Sequence, residues 1–171
     1  MKVLTTLLIA TAAAGVFPGP GRSWSPDRRY SIVWKEATSE TEEHSLLLER
    51  KGSGASTILY TFPRGVDVLW APDSHHVAIT DAHGSNESFV VILGIGGIGT
   101  RIVIDPERVQ EATSLAGNRD HHVYVEGVRW LSSQKLLLRV HGYGDLHPKG
   151  FTRRLVFGIS GQSITPAPPG T

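Results

Sequence analysis

The chain is written in short apolar bursts. Val, Ile, Leu and Tyr gather in runs of three to six residues at 30–34, 45–48, 57–60, 77–80, 89–93, 101–104, 136–138 and 155–157, with Gly, Pro, Asp and Ser between them. Runs of this length, bounded by turn formers, predict β-strands. Beyond residue 16 no stretch keeps its apolar positions at the 3.6-residue period for three turns; only residues 106–112, with Pro106 first and Glu107 in the first turn, predict a short helix. The pattern is that of an all-β protein.

Aligned on its tryptophans, the chain repeats itself. Trp24-Ser25-Pro26-Asp27 leads into the runs at 30–34 and 45–48, then Gly52 and Gly54, then 57–60. Trp70-Ala71-Pro72-Asp73 leads in the same order into 77–80 and 89–93, then Gly94, Gly96, Gly97 and Gly99, then 101–104. A third copy starts at Trp130-Leu131-Ser132-Ser133, lacks the Pro and Asp, and continues through 136–138 and 155–157 to Gly158 and Gly161. The spacings, 46 residues from Trp24 to Trp70 and 60 from Trp70 to Trp130, are what four short strands need, and the predicted helix falls in the longer one. Proline's fixed φ suits the second position of a turn, and Asp hydrogen-bonds within it, so Pro26-Asp27 and Pro72-Asp73 predict chain reversals between strands. The Trp before each turn then ends an inner strand with its ring against the neighbouring sheet. The expected architecture is a stack of about three antiparallel four-stranded sheets over residues 22–160.

Composition narrows the class. A length of 171 residues, 40% hydrophobic and 19% charged, suits one globular domain, and much of the 19 Gly and 10 Pro is the turn punctuation of the repeat, with the remainder in the two flanks. Seventeen basic against sixteen acidic residues give a net charge of +1. The only dense basic spots are Arg28-Arg29 and Arg153-Arg154, too little to replace the counterions of a nucleic acid, so no nucleic-acid partner is expected. Met1-Lys2, an apolar stretch to Val16 and small residues at Ala10, Ala12 and Ala14 read as a secretory signal peptide over 1–14, followed by a Pro/Gly-rich linker at 15–21. The apolar stretch is shorter than the ~20 residues a membrane-spanning helix needs, so no stable membrane span is expected. With no cysteine there is neither a lipid-modified Cys nor a disulfide framework, which suits a bacterial periplasmic or extracellular product. The last residues, 161–171, read as a disordered Pro-rich tail.

The residues Trp70-Ala71-Pro72-Asp73, Val77 to Asp81, then Gly84, Asn86 and the run at 89–93, together with Trp24 to Asp27, resemble the WD-like β-propeller repeat of the periplasmic TolB-type proteins. That resemblance implies a partial propeller of about three blades that works through its blade faces and loops. Propellers of that family close a ring of several blades. Three leave apolar faces at both ends, which either a second copy of the chain or the linker and tail would cover.

Candidate chemistry is sparse. Residues 94–99 match the G-x-G-x-x-G pattern, but β-branched residues and Asp105-Pro106 follow where a nucleotide loop must open a helix, so no cofactor is expected. Adjacent strand residues face opposite ways, so neither His75-His76 nor His121-His122 can clasp one ion. Asp81, His83 and Glu87, in one hairpin loop, are the candidate cation ligands. There is no G-x-S-x-G elbow and no catalytic residue is assigned. The reading is a non-catalytic binding or scaffold module of the bacterial cell envelope, its partner an envelope protein or glycan. The alternative is a small hydrolase or lyase using His and carboxylate residues in the loops 81–87 and 141–147.

Overall fold

A computed structural model describes residues 15–17, 21–39, 43–113 and 120–171. The expected signal peptide lies outside the described residues. The architecture is all-β, and its strands group into three antiparallel meanders of four. The first comprises β2 (Arg22–Trp24), β3 (Tyr30–Lys35), β4 (His44–Arg50) and β5 (Ser56–Phe62). The second comprises β6 (Val66–Trp70), β7 (His76–Asp81), β8 (Glu87–Gly94) and β9 (Arg101–Ile104); β1 (Gly15–Phe17), from the expected linker, adds to its β6 edge. The third comprises β10 (His122–Ser132), β11 (Lys135–Tyr143), β12 (Phe151–Gly158) and β13 (Ser163–Pro166). A short parallel pairing, Glu87 with Val123 and Ser88 with Tyr124, joins the second and third meanders into one nine-stranded hydrogen-bonded sheet. The helix α1 spans Pro106–Thr113 and places Val109 under the core.

β13 corrects the expectation of a disordered tail. Ser163 to Pro166 pair with Leu155 to Gly158 and supply the missing fourth strand, with Ile164 packed on the core. The prolines hide it in the sequence. At a sheet edge the absent N–H of Pro166 costs no ladder bond, so a proline is tolerated there.

Burial explains the run pattern. The second sheet is covered on both faces, and all six residues of β7 are buried. Its odd-numbered side chains Val77 and Ile79 meet Ile32, Leu46 and Phe62 of the first sheet; its Ala78, with Val90 and Ile92, meets Val125, Leu136 and Leu138 of the third. A strand buried on two faces reads as an unbroken apolar run, whereas the terminal sheets alternate. Their outward faces are amphipathic. On the third, Glu126, Arg139 and Arg154 lie in one cross-strand row beside Leu137 and Val156.

The turns form as expected. The N–H of Arg28 donates to the carbonyl of Ser25 at 2.9 Å and that of Ser74 to Ala71 at 3.0 Å, with Pro26 and Pro72 second in each turn. Asp27 and Asp73 accept from the N–H two residues on, Arg29 and His75, both at 2.9 Å. The tryptophans differ. Trp70 is 1% exposed between the first and second sheets, and the indole of Trp130 donates to the carbonyl of Leu69 at 3.0 Å, tying the third sheet to the second. Trp24 has no sheet beyond it and stays 37% exposed.

Strand direction gives the stack two ends. The turn end carries the connections β2–β3, β4–β5, β6–β7 and β8–β9; the open end carries β3–β4, β7–β8, β9–β10 and β11–β12.

Candidate binding site

The open end gathers chemistry that is scattered in sequence. Six of the eight histidines lie there: His44, His83, His121, His122, His141 and His147. Two pockets open there on the two faces of the second sheet, because Asp67 and Asp81 sit on adjacent strands one register step apart and so face opposite ways.

The first pocket, about 360 Å³, lies between the first and second sheets and is lined by Tyr60, Asp81, His83, Phe89 and Arg101 among others. Asp81 is 1% exposed. The hydroxyl of Tyr60 donates to its Oδ2 at 2.7 Å, while Oδ1 is buried with no hydrogen-bond partner among the described residues. Burial pushes the carboxyl of Asp81 above its usual range, against the hydroxyl of Tyr60 and the nearby His83. Burial likewise raises Tyr60, and the bond to Asp81 adds to it, so Tyr60 keeps its proton and remains a donor. The guanidinium of Arg101 lies 5.9 Å from the Tyr60 ring centre, and the ring of His83 packs 5.8 Å from that of Phe89. An unmatched carboxylate oxygen under an aromatic and aliphatic wall is a place for an N–H donor carried on an apolar body.

The second pocket, about 290 Å³, lies between the second and third sheets, lined by Asp67, Thr80, Glu87, Tyr124 and Glu126 among others. β10 crosses this face of the second sheet: Ser88 Oγ donates to the carbonyl of Val125 at 3.1 Å, and the N–H of Gly127 donates to Thr80 Oγ1 at 2.9 Å. Its two carboxyls are driven apart. Burial, and then the charge of Glu126, raise Asp67. Burial also acts to raise Glu126, but the hydrogen bond from Arg139, with His141 beside it, outweighs burial and holds Glu126 below the usual carboxylate range. Arg139 Nε lies 2.5 Å and His141 Nε2 3.4 Å from Glu126.

The expected cation trio is divided. Asp81 and His83 line the first pocket and Glu87 the second, and no group of three ligating side chains able to hold a metal occurs among the described residues. The histidines of the other loops have partners of their own: His147 Nδ1 lies 2.7 Å from Asp120, His121 3.5 Å from Asp145, and His122 and His141 stack on Tyr143 and Tyr124 at 4.3 and 5.0 Å. His83 lines the first pocket, and His141 lines neither of the two. Tyr60, Asp67 and Glu126 were not expected. The legible signal was a lone carboxylate inside an apolar strand, Val66-Asp67-Val68.

Among the described residues no helix is long and apolar enough to cross a membrane. No protein-family model and no curated protein matches the chain. Its fold is similar to two solved structures of the AtxE2 isopeptidase. One is the apo form, with a TM-score of 0.56 and 13% identity over 86% of this chain and 28% of that one. The other is a variant with Astexin3-dC4 bound, with a TM-score of 0.56 and 13% identity over 93% of this chain and 31% of that one. This chain therefore spans less than a third of the length of the proteins it resembles, and at this identity the likeness is one of fold.

Proposed function

We propose that the chain is a non-catalytic binding module exported to the bacterial cell envelope, built from repeats of the TolB propeller type, whose open end takes hold of a polypeptide. The observation that carries this reading is Asp81: a buried carboxylate with one oxygen unmatched, in a pocket between two sheets. A partner bringing an ammonium, guanidinium or amide N–H on an apolar stem satisfies that oxygen and covers Phe89. The resembled isopeptidase has been seen with Astexin3-dC4 bound; its activity is not carried over to this chain.

The test is selection of a displayed random peptide library on the full chain. Selected peptides should carry a Lys, Arg or free amino terminus and should bind about tenfold more weakly to Asp81→Asn, the cost of a lost charge-assisted hydrogen bond. Peptides that bind both proteins equally would overturn the site. The outward faces of the terminal sheets leave room for a pairing of two chains, which light scattering on the full chain would show as a doubled mass.

A second reading rests on the second pocket. Two carboxyls pushed in opposite directions are the arrangement of an acid and a base, so a small hydrolase would use Asp67 as proton donor and Glu126 as base. Turnover of glycoside or ester chromogens that disappears in both Asp67→Asn and Glu126→Gln, with folding intact, would favour it over the binding reading.

A further inference from the structure

The turn end of the first sheet holds an observation that the open-end reading does not use. Arg28 has φ 58°, in the left-handed region that disfavours a side chain and where glycine is the usual occupant. The equivalent residue of the second copy, Ser74, also has positive φ, at 63°, and its side chain serves the fold: its Oγ accepts the N–H of Asp27 at 3.1 Å. Arg28 makes no comparable bond. Its guanidinium forms no ion pair among the described residues and lies 5.9 Å from the ring centre of the exposed Trp24, with Arg22 5.5 Å from the same ring.

A pocket of about 320 Å³ adjoins that ring, lined by Arg22, Trp24, Glu49, Arg50, Lys51 and Gly52 among others; Arg28 is outside this lining and reaches the Trp24 ring from the adjoining turn, which the N–H of Lys51 joins through the carbonyl of Arg29 at 2.9 Å. The carboxylates nearby are committed: Glu49 to Arg22, and Asp27 to Arg29 at 2.5 Å. Arg28, Arg50 and Lys51 form no ion pair among the described residues, so three cations on two neighbouring turns stand unmatched in a chain whose net charge is +1.

The geometry points to an anion site here, for a small ligand bearing a phosphomonoester, held by Arg28, Arg50 and Lys51 with Trp24 as its wall. A single carboxylate neutralises one of the three cations. A phosphomonoester carries about −1.5 to −2 charge at pH 7 and three acceptor oxygens, which matches the number and separate origins of the donors. The backbone strain at Arg28 is then the cost of placing a guanidinium at a left-handed position where the second copy carries the short side chain of Ser74. Free phosphate esters and phosphatidic acid headgroups share this chemistry.

The test follows the indole N–H resonance of Trp24 in the full chain as glycerol phosphate is added at low salt. A saturating shift is expected, about tenfold weaker in Arg28→Gly and partly restored in Arg28→Lys. Arg28→Gly should at the same time melt about 1–3 °C higher, because the left-handed position is relieved. A second arm, sedimentation with phosphatidylcholine vesicles with and without phosphatidic acid, tells headgroup from soluble ester. No saturating shift together with no vesicle retention overturns the proposal, as does equal binding by Arg28→Gly. Neither result bears on the Asp81 pocket at the other end of the stack.

Discussion

The two ends of the stack are built from the same strands by different rules. At the turn end most polar bonds are local: Ser25 with Asp27, Tyr30 with Ser25, His75 with Asp73, all within five residues. At the open end the partners are far apart in sequence, Tyr60 with Asp81 across 21 residues, Asp120 with His147 across 27, and Thr80 with Gly127 across 47. Local bonds specify a chain reversal and nothing else. Long-range bonds require the stack to form first, and they bring titratable groups from separate repeats into one pocket. The end that defines the repeat is thus distinct from the end that carries most of the chemistry.

The strongest probe of that division is the tryptophan at the turn end of each sheet, since repeat position is equal and burial is not. Trp70→Ala empties a fully enclosed site between two sheets and should cost about 3–5 kcal/mol. Trp130→Ala, half-buried and losing one bond to Leu69, should cost less. Trp24→Ala should stay below about 1 kcal/mol, because no sheet covers the ring. Urea unfolding ranks the three, and equal losses would mean that Trp24 is covered in solution, by a second chain for instance.

The same contrast sets what could be seen in the sequence. Most of the strands, the two Pro-Asp turns, the helix expected at 106–112 and the threefold stack were legible because period, turn chemistry and repeat spacing are local quantities; β1, in the expected linker, was not. β13 was not, since a four-residue edge strand rich in Ser, Thr and Pro has no apolar run to announce it. The pairing of Tyr60 with Asp81 and of Asp67 with Glu126 was not either. Asp81 and Glu87 are six residues apart and face different pockets, while Tyr60 and Asp81 are 21 apart and touch, so sequence proximity selected the wrong companions.

Two glycines compare how much each end can yield. A Cβ on Gly142, in β11 near the open end, would come 2.2 Å from the carbonyl oxygen of His122 on the paired strand, so Gly142→Ala must part β10 from β11. A Cβ on Gly94, at the turn end, would meet the carbonyl of Ile98 at the same 2.2 Å, but that oxygen belongs to the loop that Gly94 itself begins. Gly142→Ala should cost about 2–3 kcal/mol and Gly94→Ala about 1 kcal/mol, read from urea midpoints. The reverse order would show that the turn end is the more rigid.

The smallest expected effect is the one that reads both ends in a single experiment. At the turn end, burial acts to raise the carboxyl of Asp27, but hydrogen bonds from Arg29 and Ser25 outweigh it and hold that carboxyl down to about 2. A depressed carboxyl favours folding when ionised, so its contribution is present above the unfolded value of about 4 and is lost as pH falls through about 2. Asp67 has the opposite sign. Burial, with Glu126 beside it, raises its carboxyl, so ionisation opposes folding; its full contribution is present below the unfolded value and is lost as pH rises through the folded one. Asp67→Asn should therefore gain stability over the unsubstituted chain at pH 7 and lose that advantage near pH 3, whereas Asp27→Asn should be weaker at pH 7 and draw level with the unsubstituted chain only toward pH 2. Thermal melts of the three proteins from pH 2 to 8 measure both. If the two variants shift with pH in the same direction, the ends do not differ electrostatically, and the second pocket loses the acid and base assignment that distinguishes it.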